Sequence, residues 1–252
     1  MAAVFIAHLN ANPPAFAQFR RLTFRQGSIA NARFTGDGKG LAYEAAWDGN
    51  SNRIYSSTLG TPEPRELDLP ANSALVALSS RGELALTLGA WTFLDGGLLG
   101  RSSLARGPPR EVLEHVVYAD WHPDGSAPAV VRRNGSEWRV EYPIGKSLYK
   151  TEDPILGMRA SPDEERIAFV ELVQNEAFLL TIDTAGSKKV LVSIGKGTFY
   201  RPALSWSPDG REIWFSSFDT EKAGIVFAVS MNGKQRTVAT LPGQNRLFDI
   251  SR

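Results

Sequence analysis

Along residues 28–250, short apolar runs alternate with polar clusters rich in Gly, Pro, Asp and Asn. Runs such as Gly40-Leu41-Ala42-Tyr43, Arg166-Ile167-Ala168-Phe169-Val170 and Ile213-Trp214-Phe215 are strand-sized and bounded by turn residues, so they predict β-strands. No stretch keeps a 3.6-residue apolar period beyond two turns, so no long helix is predicted. One polar cluster recurs. It begins at Thr35 (Thr-Gly-Asp-Gly), Ser79 (Ser-Ser-Arg-Gly), His122 (His-Pro-Asp-Gly), Ser161 (Ser-Pro-Asp-Glu), Ser207 (Ser-Pro-Asp-Gly) and Ser251, at intervals of 44, 43, 39, 46 and 44 residues. Each copy has the chemistry of a hairpin turn. Pro123, Pro162 and Pro208 preset φ, Asp37, Asp124, Asp163 and Asp209 bond the local backbone, and Gly38, Gly125 and Gly210 accept positive φ.

Each repeat continues in one order. A second turn, as at Asp48-Gly49-Asn50 or Asn134-Gly135, leads to a third strand: Arg53–Ser56, Trp138–Tyr142, Ala177–Ile182 or Ile225–Val229. A short fourth strand that starts basic follows, as in Pro64–Leu67, Arg110–Leu113, Lys188–Val192 and Gln235–Val238. Four short strands in about 43 residues, radially repeated, predict an all-β fold: a β-propeller of four-stranded antiparallel blades. Five blades fall near 28–70, 71–115, 116–154, 155–197 and 198–244. Phe19–Phe24 has the character of an outer strand before them, and Asn245–Ile250 that of a sixth innermost strand after them. The expectation is therefore a six-bladed ring of which this chain supplies 22 strands, lacking the two middle strands of the last blade. A five-bladed ring with 245–252 as a tail is the alternative.

The domain thus spans 19–252, preceded by an apolar segment and linker over 1–18. Met1–Leu9 is apolar but far shorter than the roughly 20 residues of a spanning helix; it reads as a frayed terminus or as the end of a membrane helix beginning upstream of residue 10. Both ends look cut. Composition adds bounds. Hydrophobic residues are 42 % and charged residues 22 % of 252, an ordinary globular balance. The net charge of +1 offers no bulk attraction to nucleic acid. With no cysteine, disulfides, thiolate metal sites and cysteine nucleophiles are excluded.

The repeated Ser-Pro-Asp-Gly turn with an aromatic before it resembles the TolB-like, WD-repeat-like β-propeller of bacteria. The nearer resemblance is to propeller segments at the C-terminal end of membrane-anchored bacterial Ser/Thr protein kinases; related segments also follow winged-helix DNA-binding domains. It rests on Phe19-Arg20-Arg21-Leu22-Thr23-Phe24-Arg25-Gln26-Gly27, Ala45-Ala46-Trp47-Asp48-Gly49, Pro109-Arg110-Glu111-Val112-Leu113, Ala119-Asp120-Trp121-His122-Pro123-Asp124-Gly125 and Tyr142-Pro143-Ile144-Gly145-Lys146, and it covers 19–252. The resemblance implies a kinase domain, a membrane helix, then a propeller outside the membrane. The chain departs from the pattern at Ser79-Ser80-Arg81-Gly82, at Glu164 where Gly is usual, and at Gly100–Ser103.

Motifs for chemistry are sparse. There is no kinase catalytic loop, no Asp-Phe-Gly and no phosphate loop. Gly145-Lys146-Ser147 lacks the Gly required five positions before it, where Val140 stands. Gly-x-Ser-x-Gly is absent, which argues against a prolyl-oligopeptidase type of enzyme. His8, His115 and His122 are scattered, with no metal-ligand spacing, so no catalytic residue, metal or cofactor is predicted. The innermost strands carry the functional hint. Their last residues, Phe34, Leu78, Trp121, Ala160, Trp206 and Ile250, are apolar and should pack between blades. One position earlier stand Arg33, Ala77, Asp120, Arg159, Ser205 and Asp249, which alternation turns toward the axis. Arg33, Asp120, Arg159 and Asp249 are therefore candidates for a binding site at the channel mouth, with mutual ion pairing as the other reading.

Three functions are consistent with these features. The first is a non-catalytic ligand- or protein-binding propeller, the sensor or scaffold end of a bacterial receptor kinase or regulator. The second is a periplasmic TolB-like interaction or transport factor, and the third a hydrolase or lyase using the channel. The partner is expected to be a protein, a peptide or a small polar ligand, not nucleic acid, on the extracytoplasmic side of a bacterial membrane. Sequence leaves the oligomeric state open.

Overall fold

The computed structural model describes residues 21–251 apart from 62, 93–95, 106, 197–202, 217–223, 242 and 244, and of 90–92 the backbone alone. Met1–Leu9, His8, the 10–14 linker, Phe19, Arg20 and the Trp91 side chain lie outside what is described. Every regular element among the described residues is a β-strand. Strands β1 (Gly27–Phe34), β2 (Gly40–Trp47), β3 (Arg53–Thr58) and β4 (Arg65–Glu66) form the first antiparallel meander. Strands β12 (Ile155–Ala160), β13 (Arg166–Val173), β14 (Glu176–Asp183) and β15 (Lys188–Lys196) form another. So do β16 (Leu204–Trp206), β17 (Glu212–Ser216), β18 (Ile225–Ser230) and β19 (Gln235–Thr240).

Between them lie β5 (Ala74–Leu78), β6 (Glu83–Thr92), β7 (Gly96–Ser103), β8 (Arg110–Trp121), β9 (Pro128–Asn134), β10 (Glu137–Glu141) and β11 (Ser147–Thr151), joined in one seven-stranded sheet. This sheet is two blades sharing a strand. The first half of β8 pairs with β7, down to Val116 opposite Gly97. The second half pairs with β9, from Val116 opposite Arg132 to Trp121 opposite Pro128. His115, with φ of 62°, sits just before the changeover. A left-handed residue there redirects the strand from the rim of one blade to the axis of the next. The sequence boundary at 115/116 falls on this point.

Each blade buries its alternate side chains against its neighbours. Ala42 and Ile54 of the first blade pack with Leu75, Leu84 and Leu86 of the second. Ala77, Ala85 and Leu99 meet Trp121 and Val130 of the third. Trp138 and Val140 meet Ile167, Phe169 and Ile182 of the fourth, whose Ala168, Val170 and Leu179 meet Trp206, Ile213 and Phe215 of the fifth. Of the last apolar residues of the first strands, Trp121 and Trp206 pack between blades as expected, Phe34 packs with Phe248, and Leu78 and Ile250 are partly buried in the same role, while Ala160 joins none of these clusters.

The two outlying segments differ from expectation. Residues 21–24 form no strand, because no described segment runs alongside to offer them a ladder. Asn245–Ile250 likewise has no strand pairing. It nevertheless occupies the axial place between the fifth and first blades. Leu247 and Ile250 pack on Trp214, Val226 and Leu241, while Phe248 packs on the cluster of Phe34, Tyr43 and Trp47.

Candidate functional site

The four charged candidates converge at the axis, each two residues before the start of its copy of the repeated cluster. Arg159 is the hub. Its Nε–H donates to Leu204 O at 2.7 Å and its Nη2 to Phe248 O. The same guanidinium faces Asp120 at 3.5 Å and Asp249 at 3.6 Å. The carboxylates also reach to the next blade: Asp120 accepts from Ala160 N–H at 3.0 Å, and Asp249 from Phe34 N–H at 3.0 Å. Ser205 lies 3.4 Å from Asp249, and Trp206 Nε1–H donates to Arg159 O at 3.1 Å. Ala77, the small member of the row, is fully buried between the second and third blades.

Arg33 is held differently. It donates to Asn31 Oδ1 at 2.6 Å and to the carbonyls of Ala32, Phe248 and Val76 at 2.8–3.0 Å. Burial, with the Arg159 guanidinium beside it, pushes Arg33 down to about 9 against the partial compensation of Asp249 and Asp120. It stays a cation at neutral pH. The belt therefore ties neighbouring first strands together, except the second to the third, where Ala77 stands, and spends most of its polar atoms in doing so. This is the mutual-pairing arrangement, realised for Arg159, Asp120 and Asp249.

Around the belt's outer side the repeated turns form a rim. In every described copy but the one at Ser79–Gly82, where Arg81 replaces the Asp, the side chain at the first position bonds the Asp two residues on: Thr35 to Asp37 at 2.6 Å, His122 Nδ1 to Asp124 at 3.0 Å, and Ser207 to Asp209 at 2.6 Å. Ser161 and Asp163 do the same at 2.5 Å. The Asp then accepts the N–H two residues further on, from Lys39, Ser126, Glu165 and Arg211 in turn. The left-handed position is Gly38, Gly82, Gly125 or Gly210, at φ of 67–76°, and Glu164 at 68°. Neighbouring turns touch. A Cβ on Gly36 would stand 2.5 Å from Ser80 O, and Ser80 Oγ donates to Pro123 O at 2.8 Å. His122 stacks on Tyr142 with ring centroids 4.9 Å apart and stands 3.8 Å from Glu164. The basin inside this rim is small, about 90 Å³, with Arg33, Asp120, Arg159 and Asp249 in its floor.

A second, larger cavity of about 570 Å³ lies on the other side of the belt, where the first strands begin. Glu44, Asn52, Tyr118, Met158 and Arg246 line it together with Arg33 and Arg159. Sequence reading missed these residues. Four first strands carry a bulge there, at Ile29/Asn31, Leu75/Ala77, Val116/Tyr118 and Ile155/Gly157, and a bulge breaks the alternation by which facing was assigned. The available signal was the buried carboxylate Glu44 inside an otherwise apolar second strand.

The fold is shared with solved β-propellers. TolB from Acinetobacter baumannii matches with a TM-score of 0.72 at 18 % identity, over 90 % of this chain and 58 % of its own. The putative TolB of Agrobacterium tumefaciens gives 0.69 at 19 % identity, over 92 % of this chain and 88 % of its own. The Cps50 (Swd1) β-propeller domain of Myceliophteria thermophila gives 0.57 at 11 % identity, over 90 % of each. No family model matches the chain, and no curated protein does. The chain is thus an all-β protein with the TolB-like propeller fold, and it spans 58 % of the length of the Acinetobacter protein.

Proposed function

We propose that this chain is a non-catalytic, protein-binding β-propeller of the TolB-like kind, acting on the extracytoplasmic side of a bacterial envelope. The reading rests on one observation above all. The charged groups at the axis are engaged in blade-to-blade bonds, so recognition falls to the rim of stacked turns and to the two mouths. Asp120 and Asp249, the acidic groups a channel enzyme would use, each accept a backbone N–H and face Arg159. Asn245–Ile250 is read as the innermost strand of a sixth blade, supported by its packing on both the fifth and first blades. The kinase-linked sensor role stands as a second reading, carried by the sequence resemblance over 19–252; the genomic sequence upstream, encoding a kinase domain and membrane helix or a cleavable export signal, decides between them.

Site-specific photocrosslinking tests the binding reading. A photoreactive residue at Arg81 or Arg211, both on the exposed rim, should capture one discrete protein from an envelope extract. The same residue at Val190, 53 % exposed on the outer strand β15, should not. Equal capture from Val190, or no discrete product from the rim, would overturn it.

A further inference from the structure

The second copy of the repeated turn has Arg81 where Asp37, Asp124, Asp163 and Asp209 stand in the others. The turn closes without a carboxylate: Gly82 N–H donates to Ser79 O at 3.0 Å, and Glu83 N–H to Ser79 Oγ at 2.9 Å. Arg81 is therefore not required by the hairpin, and it reverses the sign of charge at that point of the rim. The first two copies also lack the proline that the next three carry, with Gly36 and Ser80 in its place. All these departures border one groove of about 720 Å³, between the first and second blades on the turn side. Lys39, Arg65 and Arg81, all exposed, line it, against the carboxylates of Asp37 and Glu63. Asp37 Oδ1 is taken by the Thr35 hydroxyl at 2.6 Å and the Lys39 N–H at 3.0 Å, and Lys39 offsets its charge. Arg65 crosses from β4 to donate to Leu104 O of the second blade at 2.8 Å. Neither Arg65 nor Arg81 forms an ion pair among the described residues. Ser56, Thr58 and Ser103 add hydroxyls along the walls, which can donate to a peptide C=O or accept from its N–H.

We propose that this groove docks an acidic, extended segment of the protein partner, its carboxylates drawn to Arg81 and Arg65 and its backbone lying along the hydroxyl-lined walls. Guanidinium groups match a carboxylate in both charge and donor geometry. Exposed charge of one sign selects and steers a partner of the other. The proposal rests on the rim-binding reading above and names the chemistry of the partner. It is tested on the isolated chain with defined peptides, so its failure and the failure of that reading are separate results.

Fluorescence anisotropy on the full 252-residue chain uses a labelled, end-capped Gly-Asp-Glu-Asp-Glu-Gly peptide as the probe, with Gly-Asn-Gln-Asn-Gln-Gly as its neutral control. The acidic peptide should bind saturably and the neutral one about tenfold more weakly, with affinity falling as salt screens the exposed charges. Arg81→Asp gives the second turn the residue of the other copies, so the circular dichroism spectrum should be kept while affinity falls about tenfold. Arg81→Lys should keep most of the affinity, and Arg65→Gln should weaken it. Lys234→Gln, between β18 and β19 and outside the groove, should leave it unchanged. Equal affinity for the two peptides, unchanged affinity in folded Arg81→Asp, an equal loss in Lys234→Gln, or displacement by inorganic phosphate at the concentration of the peptide would each overturn the proposal. Partner capture from Arg211 without binding of the acidic peptide would overturn the groove and leave the rim-binding reading standing.

Discussion

At the scale of single residues, the repeated turn is a small machine of three bonds wherever Asp holds its third position, and the copy with Glu164 at its left-handed position is a point of strain. Glu164 adopts φ of 68°, where the other copies place glycine. A side chain there costs about 1–2 kcal/mol, part of which glycine returns through the entropy of the unfolded chain. Glu164→Gly should therefore raise stability by about 0.5–1 kcal/mol, a shift of roughly 2–3 °C in thermal midpoint for a domain of this size. A midpoint that falls would show that the contact of Glu164 with His122 outweighs the backbone term. The turn aspartates also set the acid limit. The Thr35 hydroxyl holds Asp37 below the usual carboxylate range, and the Ser207 hydroxyl does the same for Asp209. Asp124 falls to about 2 through the Ser126 hydroxyl and backbone N–H, with His122 adding to it. A depressed folded pKa contributes stability that is fully present above the unfolded value near 4 and is lost as pH falls toward 2. The triple variant Asp37→Asn/Asp124→Asn/Asp209→Asn should flatten the fall of thermal midpoint between pH 4 and 2. An unchanged slope would place the acid sensitivity elsewhere.

At the scale of strands, what a repeat shows in sequence depends on whether its residues act within one blade or between two. The hairpin turns act locally, so Pro208-Asp209-Gly210 announces its structure in any context. The charges at Arg33, Asp120, Arg159 and Asp249 were visible as a row by alternation alone, and the row does meet at the axis. Their partners were not visible, because the contacts join residues 89 and 215 positions apart, as between Arg159 and Phe248 or Phe34 and Asp249. The start of each first strand was illegible for another reason: the bulges there break the period on which facing was read. This difference predicts unequal costs. Arg159→Met leaves Asp120 and Asp249, only 13 % and 22 % exposed, without the guanidinium that both of them face. Removing one partner of a buried pair costs about 3–5 kcal/mol, and the residual exposure puts this case near the lower end. Arg33→Met leaves only carbonyls and an amide unpaired, at roughly 1–2 kcal/mol. Urea unfolding should therefore place Arg159→Met well below Arg33→Met. The reverse order would show that Arg33 is the true hub of the belt.

At the scale of the whole molecule, the blades differ in how firmly they are joined. The second and third share β8 and cannot separate without breaking a continuous strand. The fifth and first are joined through Asn245–Ile250, which has no ladder of its own. Its hold is a set of point contacts: Phe248 O receives both Arg33 and Arg159, Asp249 receives Phe34 N–H, and Leu247 N–H donates to Ser216 Oγ at 2.6 Å. Leu247 and Ile250 cover Trp214, Val226 and Leu241 on one side, and Phe248 covers Phe34 and Tyr43 on the other. Deleting 245–252 removes all of these at once while leaving every described strand in place. It should lower the thermal midpoint by more than Arg159→Met does, since the belt loses Asp249 and the flanking cores lose their cover. Limited proteolysis should then cut first within 204–240 and 21–58, where the uncovered faces lie, and last around β8. If cleavage still began on the outer strands β11 and β15, and the midpoint matched that of Arg159→Met, the segment would be a passive tail, and the ring would close directly between the fifth blade and the first.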